Sequence, residues 1–145
     1  MAKLTLTATK QVIGVGSFVE KTIQFRDKDG AEVGGEILIK IASHDEIVNA
    51  SDVWKLKNKQ ELTLDQLKKA LVFQVVYEDE NTRFFPKISE TGAVSTEVIE
   101  AMYAAADEVL DFAGKNWILA KKKKGGVNSS SMELEEEQLQ KPNKE

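Results

Sequence analysis

The hydrophobic period of this chain changes once, near Ser43, from alternation to a helical stripe, and that change restricts the fold more than any other feature. Before it, Leu4, Leu6 and Ala8 alternate with Thr5, Thr7 and Thr9. Phe18, Thr22, Ile23 and Phe25 then lead into Asp27-Lys28-Asp29-Gly30, and Glu36 to Ala42 reads E-I-L-I-K-I-A. The first 43 residues therefore read as strands, because side chains two apart on an extended chain share a face. Asp29-Gly30 between two β-branched or aromatic runs predicts a hairpin, with glycine taking a positive φ at low steric cost. Gly34-Gly35 in the returning run is expected to mark a bulge or bend. Gly14-Val15-Gly16 reads as a turn between two strands, since the third glycine of a dinucleotide fingerprint is replaced by Val19.

After Ser43 the spacing is helical. Ser43 with Glu46 fits a capping box ahead of Ile47 and Val48, and Asn49 to Asp52 ends or interrupts that short helix. Thr63 with Gln66 repeats the box before Leu64, Leu67, Ala70, Leu71 and Val75, predicting a helix to about Tyr77, although Leu71 to Tyr77 alone would pass for a buried strand. Val98, Ile99, Met102, Tyr103, Ala106, Val109, Leu110, Ala113 and Trp117 predict a long final helix capped by Ser95 or Thr96. The expected architecture is α+β: antiparallel N-terminal β-strands and C-terminal helices in a domain at 1–120, then a flexible charged tail at 121–145. The tail has no aromatic residue and only Val127, Met132, Leu134 and Leu139 as apolar side chains, too few to offset an ordering cost of about 1–2 kcal/mol per residue.

Side-chain chemistry removes most function classes. With no cysteine there is no disulfide, thiol nucleophile or Cys-ligated metal, and the single histidine, His44, excludes a multi-histidine metal site within one subunit. Neither a cofactor nor a metal is expected. A net charge of −4 has the wrong sign for sequence-independent attraction to phosphate backbones, and Lys121–Lys124 alone gives only weak, salt-sensitive contact. Nucleic acid is not an expected partner. The N-terminus lacks the apolar run of about 7–15 residues of a secretory signal, and no run of about 18 apolar residues follows, so neither export by that route nor a membrane span is expected.

The remaining acidic and basic candidates read better as structure. Asp27-Lys28-Asp29-Gly30 lacks the ligand spread and glycine position of a calcium loop. Glu78-Asp79-Glu80 reads as a solvated loop after a helix, although two carboxylates there could share a raised pKa or a cation. Asp45 could orient His44 as a base, yet no serine nucleophile or oxyanion motif accompanies it, and a helix-start contact is the better reading. Phe84-Phe85-Pro86 and Trp117-Ile118-Leu119 either pack on the core or form a partner patch, the core reading being favoured for each. Because tyrosine and tryptophan are enriched at binding hot spots, Tyr103 and Trp117 join Phe84 and Phe85 as candidate partner-binding residues, and no catalytic residue is assigned.

The segment Asp79-Glu80-Asn81-Thr82-Arg83-Phe84-Phe85-Pro86 and the helix Ser95 to Trp117, especially Ala113-Gly114-Lys115-Asn116-Trp117, resemble the tail assembly chaperones of long-tailed bacteriophages. The similarity covers the helical half better than the strands. It implies a non-enzymatic role in the host bacterial cytoplasm: binding the long helical tape measure protein, keeping it soluble, recruiting tail-tube protein subunits around it, and leaving before the virion is complete. Self-association stays open. The resemblance also implies programmed ribosomal frameshifting near the end of the shorter product, and Lys121–Lys124 before Gly125-Gly126 is compatible with an adenine-rich slippery message. The alternative from another class is a structural virion component, a minor tail or connector protein, which the β-rich N-terminal half and charged tail would suit equally.

Overall fold

The computed structural model describes residues 3–112. The chain divides into two units, Met1–Leu110 and Asp111–Glu145, and the first is the α+β body. Its elements in order are α1 (Leu6–Ile13), β1 (Phe18–Arg26), β2 (Glu32–Lys40), α2 (His44–Val48), 3-10 turns at Ala50–Trp54 and Lys59–Glu61, α3 (Leu64–Val75), β3 (Val76–Asp79), β4 (Thr82–Arg83), a 3-10 segment at Ile88–Ala93, and α4 (Thr96–Leu110). The strands form one antiparallel sheet in the order β1-β2-β3-β4. The expected tail at 121–145 lies outside the described residues.

The hairpin forms as its sequence predicts. Asp27 Oδ1 accepts hydrogen bonds from the amides of Asp29 and Ala31, both at 2.9 Å, and Gly30 takes φ 84° to close the turn. The register then runs unbroken from Arg26↔Glu32 to Phe18↔Lys40, with Gly34 opposite Gln24 and Gly35 opposite Ile23. The expected bulge is absent. These glycines leave the ladder intact and remove side chains from it instead.

The N-terminal strand reading is also corrected. Leu4, Leu6 and Ala8 do not alternate along a strand, because Thr5 and Gly14 cap a helix between them. Thr5 Oγ1 accepts from the Ala8 amide at 3.1 Å, and Gly14 ends α1 at φ 72°. Three alternating residues weigh less than two caps. Gly14-Val15-Gly16 accordingly joins a helix to a strand.

Both capping boxes are present, at Ser43/Glu46 and Thr63/Gln66. The helix beginning at Leu64 stops at Val75 rather than Tyr77, because the edge of β2 offers Val76 and Tyr77 a ladder opposite Ile39 and Leu38. The Leu71–Tyr77 run is thus helix that becomes strand without a loop. Glu78 and Asp79 lie in β3 and Glu80 in the following turn, all exposed, so these carboxylates are solvated as expected but two of them belong to a strand rather than to a loop. At the start of α4 the Ser95 carbonyl accepts from Ile99 at 3.2 Å. The helix ends at Leu110, short of the predicted Trp117, where Asp111 turns left-handed at φ 49°. Ala113 and Trp117 lie outside the described residues.

One sheet face carries the core. Ile23, Ile37, Ile39 and Val76 of the sheet, Ala70, Val72 and Val75 of α3, and Val98, Met102 and Ala106 of α4 are all buried. Burial of this apolar surface, at about 25 cal/mol per Å², is the main term holding sheet and helices together. The 50–54 turn is tied to α3 by Trp54 Nε1, which donates to the Gln66 carbonyl at 2.8 Å.

Candidate functional site

The two adjacent glycines of β2 shape the most distinctive surface of the body. Gly35 lies opposite Ile23 on the core face, and a Cβ placed there would meet nothing within 4 Å. Gly35 is itself exposed, and a strand residue without a side chain leaves open space on its face of the sheet. The result is a cleft of about 510 Å³ bounded by Ile23, Phe25 and Ile37 of the sheet, Phe84 after β4, and Val98 and Met102 of α4. That volume falls within the roughly 300–1,000 Å³ of pockets able to enclose a bound group. Its lining is mainly apolar.

A charged clasp fixes one end. Glu97, in the first turn of α4, accepts from the Arg26 amide at 2.8 Å and from Arg26 Nε at 2.6 Å, and a second guanidinium nitrogen also contacts it. The Arg26 side-chain hydrogen bond, aided by the backbone one, lowers the Glu97 pKa, and the same partner raises that of Arg26. Glu97 thereby occupies a position that otherwise favours an external anion, near the positive end of the helix. The clasp sets the spacing between α4 and the end of β1.

Phe84 stands at the wall of the cleft, its amide bonded to the Val76 carbonyl at 3.0 Å. Its ring meets Phe85 edge-on, with centroids 5.0 Å apart at 62°. Phe85 itself is 3% exposed and belongs to the core, so the Phe84-Phe85 pair divides into one cleft residue and one support beneath it. Tyr103 lies on the α3 side of α4, half-buried, with the Lys68 ammonium 5.2 Å from its ring centroid and Lys68 bonded to Glu100 at 2.7 Å. Burial, followed by the charge of Asp107, raises the Tyr103 pKa. Phe84 and Tyr103 are thus on different surfaces, and Trp117 is outside the described residues.

The remaining candidates are dispersed. His44 and Asp45 are exposed in the first turn of α2. Among the described residues no three His, Asp or Glu side chains group to hold a metal ion, and no helix is long and apolar enough to cross a membrane. Residue spacing alone missed the cleft itself. Its signal is Gly34-Gly35, which predicts a bulge or bend, whereas the consequence is a missing side chain on the core face. The geometry can hold apolar side chains. Compared with known protein families, curated proteins and solved structures, the chain finds no match.

Proposed function

We propose that this protein is a non-enzymatic tail assembly chaperone of a long-tailed bacteriophage, acting in the host cytoplasm by covering an apolar stripe of the tape measure protein. The observation that supports the reading is the open apolar cleft beside Phe84 and α4. A long amphipathic helix not yet enclosed by its tube exposes aliphatic side chains at helical spacing, and a cleft of this size accepts such side chains. Once tail-tube subunits supply a better enclosure, the chaperone is displaced and does not enter the particle.

Co-expression with the tape measure protein tests this directly. Solubilisation and co-purification are expected, with Phe84→Ala weakening the association while leaving the fold intact. Aggregation of the tape measure protein regardless of the chaperone overturns the reading. Mass spectrometry of purified virions is expected to find no copies, whereas stoichiometric retention would make the chain a structural tail or connector component.

A further inference from the structure

A second apolar feature lies at the other end of β1. Helix α1 has no buried residue, and Leu6, Val12 and Ile13 are 70%, 78% and 47% exposed. Leu6 and Ile13, seven residues apart, share a helical stripe with Val12 beside it. At eight residues α1 is also shorter than the roughly 12–15 at which an isolated helix becomes marginally stable, so packing against another surface would hold it. The segment ahead of Glu20 carries Lys3 and Lys10 and no acid, whereas residues 20–112 carry 11 basic and 19 acidic side chains. Helix and body are therefore opposite in charge.

The chain's own cleft is out of reach of this helix. Gly16 donates to the Ile41 carbonyl and Ile41 to the Ser17 carbonyl, both at 2.8 Å, which pins the α1 connection at the Phe18 end of β1. The cleft lies beside Phe25 and Arg26. Seven residues of extended chain separate Phe18 from Phe25, about 23 Å at 3.3 Å each.

We infer that α1 of one copy seats its Leu6/Ile13 stripe in the Gly35 cleft of a second copy. The contact joins two different surfaces, so it is head-to-tail: each copy offers one helix and one cleft, and repetition gives an open chain or a ring. Apolar burial supplies the attraction, and the basic helix approaching an acidic body favours encounter. This association does not depend on the tape measure reading. Where both hold, a client helix and α1 compete for one cleft.

Two variants of the full chain test it by light scattering and sedimentation. Leu6→Asp/Ile13→Asp removes the apolar stripe without touching a buried residue, and Gly35→Val fills the cleft. Circular dichroism checks that each remains folded. The wild type is expected to form species above 16.1 kDa that grow with concentration. Each variant alone is expected to be monomeric, with dissociation constants raised by more than about a hundredfold, because a carboxylate is not accommodated in an apolar cleft and a filled cleft excludes the helix. Mixed, they should pair into a two-chain complex and stop there, since the first variant keeps its cleft and the second its helix. A wild type that stays monomeric through the micromolar range, a variant that still self-associates, or a mixture that does not pair each overturns the inference.

Discussion

Replacing Gly35 by valine should stabilise the protein, an unusual outcome for a substitution on the core face of a sheet. Gly35 is extended, outside the positive-φ glycines Gly14, Gly16 and Gly30, so a β-branched residue fits its backbone. Glycine inside a strand is about 0.5–1 kcal/mol less favourable than alanine. The two methyl groups of valine add up to about 0.8 kcal/mol for each carbon that the cleft walls cover. The expected gain is about 1–2 kcal/mol, or roughly 5–10 °C in Tm for a body of this size. Gly34 provides the control: its added Cβ would lie 3.5 Å from Gln24 Cγ and the Ile23 carbonyl, on the opposite face, so Gly34→Val gains only about 0.5–1 kcal/mol from chain stiffening. Gly30→Val should lose about 1–2 kcal/mol because φ 84° is unfavourable to a β-branched side chain. Urea midpoints of the three variants at constant m-value are therefore ordered Gly35, Gly34, wild type, Gly30. A Gly35→Val midpoint below wild type would mean the space beneath Gly35 is already filled, and the site argument would fail with it. Stability gained at a binding cleft is also expected to reduce binding.

Three further outcomes follow from residues that do not line the cleft. Phe85→Ala should cost about 3–5 kcal/mol by urea denaturation, since the ring is buried and supports Phe84, while Phe85→Leu should recover much of that loss. Thr63→Ala removes the oxygen that accepts from the Gln66 amide at 3.0 Å and should cost about 1 kcal/mol, with Thr63→Ser close to wild type in the same assay. The Ser43 backbone amide, then the Lys40 ammonium at 3.1 Å, hold the Glu46 pKa below the ordinary carboxylate range. Its contribution is present above the unfolded-state pKa and disappears as pH falls through the lower folded value, so Glu46→Gln should flatten the acid limb of a stability-versus-pH curve just below the unfolded-state carboxylate pKa while changing it little at still lower pH.

Local chemistry made much of this fold legible. Ser43/Glu46 and Thr63/Gln66 identify helix starts because a capping box needs only residues three apart, and Asp27 to Gly30 specifies a turn by the same economy of range. Elements whose identity depends on a distant neighbour were less readable. Val76 and Tyr77 are as apolar as the helix they follow, and only the ladder against Leu38 and Ile39 draws them into a strand. Leu4 to Ala8 carries an alternation that the Thr5 and Gly14 caps override. Of the candidate site residues, aromatic type singled out both Phe84 and Phe85 but not which would face the cleft, since adjacent residues share one composition and differ in where their side chains go.

The sequence by itself determined the α+β class, the antiparallel hairpin, and the helix starts at Ser43, Thr63 and Ser95, because backbone capping and hydrophobic period act over a few residues. Only the tertiary structure decided that Gly35 opens a cleft, that Arg26 clasps Glu97 across 71 residues of sequence, and that α1 projects an uncovered apolar stripe at the opposite end of β1. Each of these depends on what lies across the sheet or beneath the helix, and a missing side chain becomes a surface only once something is packed around the space it leaves.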